Sequence, residues 1–212
     1  MPVLVAGARR APTDRRTPRS GLLLLVLLVL APAAPVAIAA PPGGGLGSPF
    51  TTTSAVAPWL RVEVYYLRLL NCTRTGGWVL SDGRCVGYGT GRYSAYVRPV
   101  SLSAGISDRV ARPYARLLAM RGLCSHTADG DPGDRLRRAG YRNWAWAENV
   151  GCATGYSNLY RAVLSFHRAF QAERATHGGH WRVLKSSRYT TVGIGVWHTS
   201  GRTRLVVDFY RP

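Results

Sequence analysis

Two residue types with catalytic or metal-binding potential stand close together in one segment of this 212-residue chain, Leu123 to Cys152. His126 and Glu148 lie in it, and a cysteine stands near each end, at Cys124 and Cys152. An imidazole and a carboxylate can hold a divalent cation, since zinc accepts both ligand types, or can transfer protons near neutral pH. The same groups can instead form a buried polar network that fixes the fold. The segment leaves all three uses open.

The N-terminus has the organisation of an export signal. Five arginines precede an unbroken apolar run from Leu22 to Ala31, and small residues follow at Ala37 and Ala39. This order predicts a signal peptide over residues 1–39, cleaved before Ala40, and hence a secreted or cell-wall-associated protein. The alternative is a retained signal anchor, because the apolar stretch 21–40 is nearly long enough to span a bilayer.

The predicted export indicates the oxidation state of the four cysteines. An even count in an oxidising compartment indicates two disulfides, for which three pairings exist. We favour the pairs Cys72 with Cys85 and Cys124 with Cys152, because each closes a compact loop rich in turn residues. A cysteine metal site is the less favoured alternative, since no two cysteines have the Cys-x-x-Cys spacing.

The net charge is +18. Removal of residues 1–39 takes away five arginines and one aspartate, which leaves +14. Scattered arginines are typical of a solvated surface; the functional interpretation is attraction to an anionic cell-envelope polymer or lipid. Specific nucleic-acid binding is not expected, because no motif for it is present. We expect a monomer with no membrane span after signal removal.

The remaining pattern predicts the elements that position the chemistry. A Pro/Gly/Ser/Thr-rich linker covers 40–58, and one domain covers 59–212 with an insertion near 72–104, a small hairpin pinned by Cys72 and Cys85. Apolar spacing predicts four helices. The first covers Leu60–Asn71, the second starts at Ser107 and is kinked or split by Pro113, and the third covers Asp134–Ala139. The fourth covers Asn158–Arg174 and is capped by Ser157. Two strands, "TVGIGVW" and "RLVVDFY", end the chain. The predicted class is α+β, with helices flanking a small antiparallel sheet.

Glu173 has an unusual position on the longest predicted helix. It follows Phe170 by three residues and so extends the inward face, where a charge is not expected. This placement makes it a second candidate carboxylate.

Four motifs then stand in order: "LLN-x-x-R" at Leu69 to Arg74, "SH" at Ser125-His126, "AGY…AENVG" from Ala139 to Gly151, and "H-x-x-x-L-x-x-x-RYTTVGIGVW" from His180 to Trp197. Together they resemble the CAP superfamily of cysteine-rich secretory, antigen-five and pathogenesis-related proteins. The resemblance covers residues 59–212. It implies a three-layer α-β-α sandwich whose cleft gathers two histidines and two acidic residues.

Carried onto this sequence, the resemblance names His126, Glu148, Glu173 and His180 as that set, with "FQAE" replacing the family's Trp-x-x-Glu pattern. Two imidazoles and two carboxylates in one cleft can bind a divalent cation, with zinc favoured, and no organic cofactor is expected. His167, His177 and His198 are interpreted as solvated, and Trp144, Trp146 and Trp181 as packing residues.

The predicted function is therefore an exported binding or interaction module whose cleft holds a divalent cation. The alternative is a metal-dependent hydrolase of peptidase type, with Glu148 or Glu173 as the base for a metal-held water. A serine hydrolase is not expected, because no Gly-x-Ser-x-Gly elbow is present. Resemblance fixes the fold better than it fixes the reaction.

Overall fold

The computed structural model describes residues 3–10, 58–142 and 145–212. The predicted linker up to residue 57, Trp144 and most of the predicted signal peptide lie outside the described residues. Cleavage of that peptide therefore stays a prediction.

A five-stranded sheet lies at the centre of the domain. Its strands are β1 (Val3–Arg10), β4 (Ser101–Leu102), β5 (Ala145–Thr154), β6 (Thr191–Thr199) and β7 (Arg202–Arg211), in the order β1-β5-β7-β6-β4. Neighbours are antiparallel except β4 and β6, which are parallel. The two C-terminal strands are confirmed as β6 and β7. The backbone of β1, which falls within the predicted signal peptide, pairs with the outer edge of β5 and sets Gly7 opposite Glu148.

Helices cover both faces of the sheet. They are α1 (Pro58–Arg74), α2 (Ala104–Ile106), α3 (Arg112–Arg121), α4 (Pro132–Arg138), α5 (Leu159–Ala172) and α6 (Gly179–Leu184). One face of the sheet packs against α1, α5 and α6 through Ala147, Val207 and Phe209, whereas the other packs against α3 and α4 through Trp146, Val150 and Val206. The predicted α-β-α class is confirmed. Successive side chains of a strand point to opposite faces of the sheet, so each strand contributes to the core on both faces.

The helix predicted from Ser107 starts earlier, at Ala104, and its backbone stays helical to Arg121. A turn of π-helix covers Ser107–Ala111, directly before α3 and Pro113. Proline is accepted there because the π-helical turn already replaces the regular hydrogen bonds, as the Arg112 N–H bonds the Ser107 carbonyl five residues back. The predicted cap of α5 was wrong by one residue: Asn158, not Ser157, accepts a hydrogen bond from the Arg161 N–H at 3.1 Å.

The "LLN-x-x-R" segment ties α1 to two loops. Asn71 forms two hydrogen bonds with the backbone of Val100, at 2.9 and 3.0 Å. Arg74 is 1% exposed and donates to the carbonyls of Arg98, Leu184, Ser186 and Tyr189. Burial lowers the pKa of Arg74 to about 10. These two residues of the motif therefore have a structural role.

Both predicted disulfides are confirmed. Cys72 bonds Cys85 beside a small hairpin of β2 (Trp78–Val79) and β3 (Cys85–Val86), and Cys124 bonds Cys152. The second bridge joins the loop after α3 to β5, so it links the segment that carries His126 to the strand that carries Glu148.

Candidate functional site

His126 and Glu148 form the first of two histidine–carboxylate pairs. The Nδ1 of His126 lies 2.5 Å from Oε1 of Glu148. Glu148 is fully buried on β5, and the His126 side chain is 12% exposed. A carboxylate at Nδ1 fixes the orientation and tautomer of an imidazole, the arrangement found in metal sites where Nε2 is the ligand.

Arg135 organises this pair from α4. It is 4% exposed, forms a salt bridge with Oε2 of Glu148, and donates to the carbonyls of His126 at 2.8 Å and Gly130 at 2.6 Å. Its guanidinium stacks on the Tyr114 ring at 3.5 Å from the centroid. One arginine therefore neutralises the glutamate and also positions the loop that carries the histidine.

Asp208 adds a second buried carboxyl group, which the sequence analysis did not identify. It is the cross-strand partner of Glu148, and both residues have no exposed surface. Burial raises the pKa of Glu148 to about 7, although Arg135 opposes the rise. Burial and the neighbouring Glu148 raise the pKa of Asp208 well above its ordinary value. Because Glu148 has the direct contacts to Arg135 and His126, we assign the shared proton to Asp208.

His180 and Glu173 form the second pair. The Nδ1 of His180 lies 2.5 Å from Oε1 of Glu173, and Oε2 accepts from the backbone N–H of His180 at 2.9 Å. The His180 ring stacks on Phe170 with centroids 4.4 Å apart. Its Nε2 is buried and has no hydrogen-bond partner among the described residues. An orphaned imidazole nitrogen of this kind fits a metal ligand.

The two pairs approach β5 from opposite faces. Glu148 faces the layer of α3 and α4, where it meets His126. Its neighbour Asn149 faces the other layer and donates to the His180 carbonyl at 3.3 Å. The structure therefore brings the four predicted residues together as two pairs. In residues 3–10, 58–142 and 145–212, no three His, Cys, Asp or Glu side chains are grouped closely enough to hold a metal ion.

The other three histidines differ in burial, and one of them differs from the prediction. His177 and His198 are exposed, as predicted. The prediction for His167 was wrong: it is fully buried on α5, 2.8 Å from the Thr73 hydroxyl, and burial lowers its pKa to about 3. Its neighbours Phe166 and Phe170 indicated a buried face, but a histidine beside them was treated as polar. Trp146 and Trp181 are buried and pack, as predicted.

Several solved structures are similar to this architecture. An extracellular protein of Bacillus anthracis that contains an SCP domain matches with a TM-score of 0.53 and 18% identity, over 78% of this chain and 45% of that protein. NaASP2 in a structure with Zn²⁺ matches with a TM-score of 0.48 and 15% identity, over 77% of this chain and 83% of that one. A cysteine-rich secretory protein from Staphylococcus aureus matches with a TM-score of 0.42 and 10% identity, over 74% of this chain and 40% of that one.

The likeness to the Bacillus anthracis protein shows that the chain has the SCP-domain fold, which is the CAP fold that the four sequence motifs predicted. This chain spans less than half the length of that protein. No family model matches the sequence, and no curated protein matches it. In the part of the chain that the structure describes, no helix has the length and apolar character to cross a bilayer.

Proposed function

We propose that this CAP-fold protein is an exported binding module that binds divalent cations through the Nε2 atoms of His126 and of His180, which lie in two separate pairs, with zinc favoured. The observation that supports it is that each histidine has a carboxylate on Nδ1. This is the arrangement in which a carboxylate orients a ligating imidazole and increases its basicity. The other coordination positions are left to water or to a bound partner.

The carboxylates support the histidines and are not themselves ligands in this proposal. Glu148 is neutralised by Arg135 and occupied by His126. Glu173 accepts from His180 twice and from the Trp181 N–H at 3.4 Å. Ligation by either carboxylate would break bonds that hold its histidine. These contacts favour carboxylates that orient the histidines over carboxylates that ligate the metal.

The same contacts favour binding over hydrolysis. A base for a metal-held water needs a carboxylate that can reach that water and take up its proton. Glu148 is fully buried against an arginine, and the side chain of Glu173 accepts three hydrogen bonds from His180 and Trp181 of α6. The hydrolase alternative therefore has weaker support.

Calorimetric titration of zinc into residues 40–212 at pH 7.5 tests the proposal. We expect binding in the wild type, its loss in His126→Ala and in His180→Ala, and a reduction of about 10- to 100-fold in Glu173→Gln. His198→Ala is the matched control, because His198 is exposed and bonds only Thr203 among the described residues. Equal affinity in all variants would overturn the site. Chelator-sensitive cleavage of a peptide mixture would restore the hydrolase.

A further inference from the structure

We propose that a groove on the outer side of α3 docks the protein on the surface of an anionic lipid bilayer. This inference concerns a different surface and does not depend on the cation site. The α3 groove has a volume of about 650 Å³, and its lining includes three arginines and one aspartate, Arg112, Arg116, Arg121 and Asp108, beside the apolar Leu117, Met120 and Trp197. It combines cations with exposed apolar side chains.

Arginines and tryptophans are stacked along this groove. The Arg116 guanidinium lies 5.3 Å from the ring centroid of Trp197, and that of Arg112 lies 6.0 Å from Trp59. The two indoles are 6.4 Å apart. An arginine over an indole ring keeps its N–H groups for other partners; in Arg112 they bond Glu63 and Asp108, whereas those of Arg116 suit recognition of phosphate oxygens.

The positive charge is not compensated along the whole groove. Arg112 is neutralised by Glu63 at 2.8 Å and by Asp108. Arg116 and Arg121 have no ion pair within the described part of the chain, and Arg202 lies beside Gly122, so close that a Cβ there would be 2.8 Å from its Nη1. The C-terminal end of α3 therefore carries an excess of positive charge that complements an anionic surface.

Apolar side chains are exposed beside these arginines. Met120, in the groove lining, is 58% exposed, and Trp59, in contact with Arg112 and Trp197, is 39% exposed. Large apolar residues grouped at an exposed surface mark an interaction site. A sugar-phosphate polymer offers phosphates but no apolar phase, whereas a bilayer interface accepts tryptophan and methionine at the level where arginine meets lipid phosphates. The combination therefore favours lipid over polymer, and the net charge of +14 after signal removal strengthens the attraction.

Vesicle co-sedimentation tests this inference with residues 40–212. We expect binding to phosphatidylcholine vesicles that contain phosphatidylglycerol, and little binding to phosphatidylcholine alone. The double variant Arg116→Gln/Arg121→Gln should lower partitioning about 25-fold, since each basic residue near such a surface contributes about five-fold. Arg161→Gln/Arg168→Gln removes the same charge from the exposed face of α5 and is the matched control.

Two further arms separate the alternatives. Met120→Asn leaves the charge unchanged and should still weaken vesicle binding, because it removes an apolar contact. Equal losses in the two arginine pairs, or no effect of Met120→Asn, would overturn docking through the α3 groove. Binding to polyphosphate that depends on Arg116 and Arg121, with none to vesicles, would assign the groove to a polymer and also overturn the proposal.

Discussion

Glu148 and Asp208 stand directly opposite each other on β5 and β7, both fully buried, with Arg135 as their nearby guanidinium. The raised pKa of Asp208 has a consequence for stability. As the pH rises above the unfolded value of about 3.9, the unfolded chain releases this proton while the folded chain keeps it. Folding therefore becomes less favourable up to the folded pKa, by as much as about 1.4 kcal/mol per pH unit.

Asp208→Asn removes this dependence. We expect the variant to be more stable than the wild type at pH 8 and close to it at pH 4, where both folded side chains are neutral. Urea unfolding at the two pH values measures the difference. Asp129→Asn, at an exposed residue paired with Arg138, is the control and should show no such change. A variant less stable than the wild type at pH 8 would contradict the assignment of the proton to Asp208.

His167 should make the domain sensitive to acid. Its folded pKa is lowered to about 3, while an unfolded histidine titrates near 6.5. The stability contributed by the neutral ring is complete above about pH 6.5 and is lost as the pH falls toward about 3, because only the unfolded chain takes up the proton. His167→Gln should flatten the fall between pH 6.5 and 4, whereas the exposed His177→Gln should not. Parallel curves for wild type and His167→Gln would contradict the prediction.

Gly178 is needed for the approach of Glu173 to His180. Its φ of −60° suits any residue, so the requirement is steric: a Cβ at this position would lie 2.7 Å from Cδ of Glu173. We expect Gly178→Ala to displace the carboxylate, cost about 1–3 kcal/mol and weaken zinc binding. In a Glu173→Gln background the zinc effect should largely disappear. Additive losses in the double variant would show that Gly178 acts elsewhere.

The two disulfides should affect zinc binding differently. Each closes a loop, of 13 residues for Cys72–Cys85 and 28 for Cys124–Cys152, and each should stabilise by about 2–4 kcal/mol. Replacing both cysteines of the second bridge by alanine should also weaken zinc binding, because that bridge links the His126 loop to β5. Replacing the first pair should leave zinc binding unchanged in the protein that remains folded. Calorimetry on both double variants makes the comparison, and equal zinc affinities would contradict it.

The sequence predicted those features that depend on residues close together in the chain. The helical spacing around Phe166 and Phe170, the strand alternation at Val192 to Val196 and the loop composition around the cysteines each involve neighbours in sequence. Arg135 and Asp208 act on Glu148 from 13 and 60 residues away: the packing of α4 on β5 brings Arg135 to it, and the register of β5 with β7 brings Asp208. A sequence signal for Asp208 did exist, since a charge inside "RLVVDFY" interrupts an otherwise apolar run. No sequence signal pointed to Arg135, because it is one of many arginines in its segment.

The pairing of β1 with β5 bears on the secreted form. Cleavage after Ala39 would remove Val3–Arg10, and every second amide proton along the outer side of β5 would lose its carbonyl acceptor. In residues 40–212 these amides should exchange with deuterium much faster than those that β5 donates to β7. An uncovered strand of this length also invites edge-to-edge association, so the expected monomer would depend on charge repulsion among the arginines. Raising the salt concentration should then shift the secreted domain toward dimers in analytical ultracentrifugation.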